Sequence, residues 1–136
     1  MDENLRRIQQ YLGHMNEAIE NTILLVSNIF NRMEQVVDAH TSLDPETLTA
    51  DECHARESEL TILINRLQEL RKETENIMNI YEIIVCDVRN QNHSTLLHRL
   101  ERDIKWKIRD LLNKGLYLEF QVVCYQITLE FPQNSE

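Results

Sequence analysis

The side chains best suited to chemistry are the histidines and cysteines, and their spacing forms no known type of site. His93 and His98 are five residues apart, which places them on different faces of a helix, whereas helical zinc ligands stand four residues apart. Cys53 continues an apolar helix face, and we interpret it as a small buried group. We expect the same of Cys86 and Cys124. The sequence therefore predicts no metal site and no cofactor.

Motifs that would support catalysis are also missing from the chain. It has no glycine-rich phosphate loop and no serine elbow. A carboxylate-bridged metal core needs Glu-x-x-His pairs that face the centre of a bundle, and no Glu-x-x-His occurs. We therefore predict a protein that is not an enzyme and has no catalytic residues.

The composition favours one domain built from long helices. The chain has 136 residues, the usual size of one domain, and only two glycines and two prolines to form turns. Aromatic residues make up 6%, which is few for a protein built from strands. We predict a single all-α domain that occupies residues 1–136.

Two rows of apolar residues repeat at alternating steps of three and four, as in a coiled coil. Seam 1 consists of Leu5, Ile8, Leu12, Met15, Ile19, Val26, Ile29 and Met33. Seam 2 consists of Leu60, Leu63, Leu67, Leu70, Ile77, Tyr81, Ile84 and Val88. A threonine interrupts each seam, Thr22 and Thr74, and we expect each hydroxyl to bond to a carbonyl of its own helix.

Further apolar residues widen both seams on one flank. They are Ile23, Phe30 and Val37 beside seam 1, and Ile64, Met78 and Val85 beside seam 2. A stripe this wide needs more than one neighbouring helix. We therefore predict an elongated antiparallel coiled coil or helical bundle, in which the first two helices form a hairpin and the seams serve as the interaction surface.

The predicted helices span about residues 3–39, 50–90 and 94–130, with a loop at 40–49. Thr49 followed by Glu52 forms a capping box, which predicts that the second helix begins near Thr49 or Asp51. Asp44 before Pro45 also resembles a helix start. The third helix has two candidate caps, Asn92 and Ser94.

The segment after Gly115 has two possible structures. Asn113, Lys114 and Gly115 resemble the end of a helix, and residues 116–127 are rich in residues that favour strands. The apolar spacing nevertheless continues at helical steps to Leu129. We predict a helix to residue 130 and keep an extended C-terminal segment after Gly115 as the alternative.

The charge distribution argues against nucleic acid as a partner. The formal net charge is −9, and such an acidic field repels phosphate backbones. One short basic stretch surrounds the single tryptophan, and we predict that it forms a partner surface of Lys105, Trp106, Lys107 and Arg109. Trp106 would either flank the core or anchor a partner there.

The sequence also favours a reducing compartment. No window reaches the roughly 18 uninterrupted apolar residues of a membrane span. The residues after Met1 also lack the pattern of a secretory signal, in which an apolar run follows a basic start. Three cysteines at wide spacing fit neither a disulfide framework nor a metal knuckle. We expect a cytoplasmic or nuclear protein.

These observations predict a non-enzymatic interaction or scaffold subunit. Its partners would be other helical subunits, either further copies of the chain or different proteins, in a complex of several subunits. The alternative is a self-contained monomeric bundle that acts as a ligand or binds a host factor. A secreted ligand would normally carry a signal and paired cysteines, and we expect neither here.

Overall fold

The computed structural model describes residues 2–42 and 49–130, and its fold is all-α, as predicted. Within those ranges every regular element is a helix and no strand is present. The elements are α1 (Glu3–Thr41), α2 (Ala50–Asp87), α3 (His93–Arg99), a π-helical turn (Leu100–Ile104) and α4 (Lys105–Glu130). Because α3, the π-helical turn and α4 follow one another without a break, they form one continuous third rod.

Side chains at both ends of α1 bond to the third rod at a constant sequence separation. Arg7 donates to Glu101 at 2.7 Å, and Arg32 donates to Gln126 at 3.5 Å. Both pairs are 94 residues apart. The third rod therefore runs parallel to α1 and keeps its register along most of the bundle.

The bonds between α2 and α4 run in the opposite sense. Lys114 Nζ donates to Glu73 at 3.2 Å, and Tyr125 Oη donates to the backbone carbonyl of Arg56 at 3.0 Å. The residue number rises along α4 as it falls along α2, so these helices are antiparallel. The chain thus runs up, down and up, and the predicted hairpin of the first two helices is present.

Both seams lie in one core that is closed within a single chain. The buried seam residues are Ile8, Met15, Ile19, Ile29, Met33, Leu63, Leu67, Leu70, Ile77 and Ile84. The others, Leu5, Leu12, Val26, Leu60, Tyr81 and Val88, are half-buried. The third rod completes the core with Leu97, Leu100, Leu111, Leu118 and Val122. With 39 residues, α1 is about 58 Å long, so the bundle is elongated.

Helix ends follow the predicted capping chemistry closely. Thr49 and Glu52 form the expected capping box at the start of α2. Asn92, the first of the two candidate caps, accepts a bond from the backbone N–H of Thr95 at 3.1 Å. The start signal at Asp44 and Pro45 lies outside the described residues. The largest boundary difference is at α2, which ends at Asp87 rather than residue 90.

The two threonines that interrupt the seams make the predicted bonds. Thr22 Oγ1 donates to the carbonyl of Ala18 and Thr74 Oγ1 to the carbonyl of Leu70, each at 2.7 Å. Both residues are almost fully buried. Each hydroxyl is therefore satisfied by its own helix, and neither threonine needs a polar partner across the core.

Gly115 does not end the third helix, so the extended alternative after it is wrong. The helix continues to Glu130, and Gly115 is buried where α4 approaches α1. A Cβ atom at this position would lie 2.6 Å from Leu25 Cδ2 and 3.7 Å from Leu70 Cδ2. The glycine is there because the helices pass closely, and the helix tolerates it because tertiary packing outweighs propensity.

The π-helical turn coincides with an irregular step in the apolar spacing of the third rod. Leu100, Ile104 and Ile108 are separated by four and four, whereas the flanking steps alternate between three and four. In an α-helix each step of four turns the apolar row by about 40° beyond a full turn. A π turn contains more residues per turn and takes up this excess, so Leu100 and Ile104 are both buried.

The close approach at Gly115 predicts that Gly115→Ala and Leu25→Ala have coupled effects on the free energy of unfolding. Alanine is about 1 kcal/mol more favourable than glycine inside a helix. We expect Gly115→Ala to raise the free energy of unfolding by about that amount in a Leu25→Ala background. In the wild-type background the displaced Leu25 side chain offsets the gain. Urea unfolding of the four proteins measures the coupling, and equal effects of Gly115→Ala in both backgrounds would contradict the close approach.

The burial of Tyr125 predicts that the free energy of unfolding depends on pH in the alkaline range. Burial raises the pKa of Tyr125, so its contribution to stability is complete below the ordinary value of about 10 and falls as pH rises above it. We expect Tyr125→Phe to lower the free energy of unfolding by about 1 kcal/mol at neutral pH. The free energy of unfolding of the variant should also fall less steeply above about pH 10, because the ionisation of Tyr125 no longer contributes to the decline. The control is Tyr117→Phe on the exposed face of α4, which should leave the free energy of unfolding at neutral pH unchanged.

Candidate protein-docking surface

The most unusual surface of the molecule is the side of α4 that faces away from the core. Its inner positions, Leu111, Leu118, Val122, Tyr125 and Leu129, are buried at alternating helical steps. Apolar residues also occupy the opposite side, where they face solvent. We define the outer row as Leu116, Tyr117, Phe120, Cys124 and Ile127, all of which are exposed.

The outer row is distinguished by its lack of charge. Its four large apolar side chains are 51 to 63% exposed, and Glu119 is the only charged residue between positions 116 and 129. The exposed side of α1, in contrast, carries Glu17, Glu20 and Glu34. An apolar stripe along a helix normally packs against a neighbouring element. The outer row is therefore a candidate docking surface.

Trp106 extends the outer row toward the start of α4. Its indole is 63% exposed, which places it outside the core. Trp106, Phe120 and Ile127 are separated by multiples of seven residues and so lie along one line of the helix. The guanidinium of Arg109 stands 5.5 Å from the centroid of the indole ring, in a cation–π arrangement. Lys105 and Lys107 are exposed on either side.

A second apolar surface lies in the groove between α1 and α2. Phe30, Val37 and Ile64 line a depression of about 400 Å³ there. These are residues that widen the seams, as the sequence predicted. Charged side chains share the groove, since Glu34, Asp38 and Arg71 also line it. It is consequently less apolar than the outer row.

A smaller depression of about 240 Å³ lies beside the π-helical turn. Its walls are mainly apolar, and His14, Lys105 and Arg109 stand at its rim. The rim residues are exposed and do not converge on a common point with a carboxylate or a thiol. The depression is lined by residues of α1, of the π-helical turn and of the start of α4.

His93, which the sequence analysis considered as a metal ligand, is hydrogen-bonded within the protein. His93 Nδ1 lies 3.0 Å from Asp2 Oδ2, and His93 Nε2 lies 3.1 Å from the carbonyl of Val88. The bond to His93, together with one from the backbone N–H of Asn4, holds the pKa of Asp2 below its ordinary value. His93 thus joins the starts of α1 and the third rod. Across the described residues, no three side chains of metal-binding type form a cluster.

The cysteines differ from their predicted placement. Cys53 is half-buried, but Cys86 and Cys124 are exposed, so the prediction that these two are buried was wrong. The reason is that their apolar neighbours face outward as well. Ile83 and Val85 beside Cys86, and Phe120 and Ile127 beside Cys124, are all exposed. Apolar neighbours therefore did not identify the core side of these helices.

The sequence-predicted site residues fall into two groups. The seam residues are packed inside the bundle, where they hold the three rods together. The predicted partner surface of Lys105, Trp106, Lys107 and Arg109 is exposed on α4. The sequence interpretation missed the outer row, although a signal was present. Residues 116–129 are apolar on two opposite sides of the helix, a pattern that the sequence interpretation attributed to strand-forming residues.

No helix in the described part of the chain is both long enough and apolar enough to cross a membrane. Comparisons with known protein families, with curated proteins and with solved structures found no match to this chain.

Proposed function

We propose that the protein is a non-enzymatic interaction subunit that docks a partner helix on the outer row of α4. The observation that carries this proposal is the exposure of Leu116, Phe120 and Ile127 on a helix already apolar on its inner side. Contiguous apolar patches on soluble proteins commonly mark interaction sites. A helix laid along the outer row would cover it with apolar side chains at steps of three and four.

The chemistry of the outer row suits an energetic hot spot. Tyrosine and tryptophan are enriched among the residues that dominate binding energy, and Tyr117 and Trp106 are both 63% exposed. Covering apolar surface gains about 25 cal/mol per Å², so a single aromatic side chain contributes several kcal/mol before the cost of association. Arg109 adds a guanidinium that is already held against the indole.

The proposed setting is a complex of helical subunits in the cytoplasm or nucleus. The three thiols support this compartment, because none of them is paired. A scaffold role is supported by the length of the rods, which present a docking face along tens of ångströms. Nucleic acid is a poor candidate, since the acidic net charge opposes it.

A self-contained bundle that acts as a ligand or binds a host factor is the second candidate. The observation that favours it is the burial of both seams within one chain, which leaves no seam to be completed by another subunit. The two candidates share the same docking surface. They differ in whether the chain is a permanent member of an assembly or binds its target as an independently folded protein.

Substitution at the centre of the outer row tests the proposal. We expect Phe120→Asp to remove partner binding while helicity and thermal stability stay unchanged, because the side chain contributes little to the core. The matched control is Ile83→Asp, since Ile83 is 64% exposed on α2 and Phe120 is 63% exposed on α4. The comparison is made by quantitative mass spectrometry of proteins that co-purify with each variant, followed by reconstitution from purified components.

Thiol labelling identifies the surface to which the partner binds in the reconstituted complex. Cys124 lies in the outer row and Cys86 lies elsewhere, and both are exposed. A partner on the outer row should protect Cys124 from maleimide and leave Cys86 reactive. A partner that binds Phe120→Asp as well as the wild type, or that protects Cys86 instead, would show that docking occurs on another surface.

A further inference from the structure

We infer that the partner on the outer row is a second copy of this chain, with the two α4 helices antiparallel about a twofold axis. The inference rests on the proposed function, and it names the occupant of the same surface. A twofold interface is formed by one self-complementary patch. The outer row together with Trp106 meets that condition in area, in charge and in the placement of its residues.

The exposed area is enough for a dimer. Trp106, Tyr117 and Phe120 are each 63% exposed, and Leu116 and Ile127 are 57% and 51% exposed. At these exposures, three aromatic side chains of 150 to 250 Å² each and two aliphatic side chains offer at most about 600 Å² per chain. Two copies would bury about 1,200 Å², the lower end of the range for specific interfaces. Weak and transient complexes fall at this end of the range, so we expect a dimer that dissociates on dilution.

The charge along α4 favours the antiparallel arrangement. Residues 105–114 contain four basic side chains and one acidic side chain, whereas residues 115–130 contain two acidic and no basic side chains. An antiparallel pair places the basic half of each helix against the acidic half of the other. A parallel pair would place like charge against like charge, which is unfavourable across an interface.

The other apolar groove does not offer the same complementarity. Glu34 and Asp38 line the groove between α1 and α2, with Arg71 between the apolar residues. A second copy docked there would bring acidic side chains of both chains together at a protein surface that is already acidic. We therefore expect the second copy to bind the outer row of α4 and not the groove between α1 and α2.

Full overlap of the two rows sets the register. The row runs from Trp106 to Ile127, so the twofold axis passes near Leu116 and Tyr117. Trp106 of one chain then meets Ile127 of the other. The two Cys124 residues lie roughly 22 Å apart along the helix axes, at about 1.5 Å per residue. In a parallel pair the two Cys124 residues would face each other.

Light scattering after size exclusion, over concentrations from about 1 to 200 µM, tests the dimer. We expect the wild type and Ile83→Asp to pass from monomer to dimer, and Phe120→Asp to raise the dissociation constant at least tenfold. Ile127→Asp provides a second disrupting variant, and circular dichroism establishes that each variant keeps its helices. A dimer that forms equally well with Phe120→Asp and Ile127→Asp would overturn the inference.

Disulfide formation under mild oxidation tests the orientation. With Cys53→Ser and Cys86→Ser, the remaining Cys124 should give no linked dimer, since the two residues are beyond the roughly 7 Å Cα separation that a disulfide spans. With all three cysteines changed to serine, Leu116→Cys should give a linked dimer, because position 116 lies at the axis. Rapid linkage through Cys124 would overturn the antiparallel arrangement.

The outcomes separate this inference from the proposed function. A chain that stays monomeric at 200 µM, but whose heterologous partner is lost with Phe120→Asp, refutes the second copy and leaves the docking surface in place. A monomer with no partner that depends on Phe120 refutes both. A dimer lost with Phe120→Asp and oriented as described supports both.

Discussion

The fold depends on the burial of one apolar row from each of three long rods. A single amphipathic helix of this length gains little in water, since most helical stability in proteins comes from packing of the apolar face. Each buried leucine or isoleucine contributes about 1.5 to 3 kcal/mol, whereas an exposed ion pair contributes about 0 to 1 kcal/mol. Residues such as Ile29, Leu67 and Leu118 therefore decide the arrangement. The exposed pairs Arg7–Glu101 and Lys114–Glu73 add little to the stability by comparison.

Much of this arrangement could be predicted from the sequence because its signals are local. The three-four repeat identifies the buried side of each helix, and Thr49 with Glu52 identifies the start of α2 through chemistry that spans four residues. The seam threonines could likewise be assigned, since a hydroxyl reaches a carbonyl of the preceding turn. These features need no knowledge of what lies across the core.

The remaining features depend on contacts between distant parts of the chain. A seam repeat does not specify whether its neighbour belongs to the same chain, so the closure of one core around seam 1, seam 2 and the third rod needed the structure. Residues 116–127 contain many strand formers. The segment is nevertheless helical, because packing before and after Gly115 outweighs intrinsic propensity. The outer row could have been found from the near absence of charge. Its exposure depends on which side of α4 meets α1 and α2.

The π-helical turn at Leu100–Ile104 sets the rotational phase of everything that follows it in the third rod. Adding or removing one residue in an α-helix turns the remainder by about 100°. Such a change between α3 and α4 would carry Phe120 and Ile127 toward α1 or α2, and would move part of the inner side, with Leu118 and Val122, toward solvent. A turn of about 100° would also place a polar flank of α4, with Glu119 or Gln121, against α1 and α2. The side of α4 that faces solvent is thus set by a five-residue segment that ends two residues before Trp106.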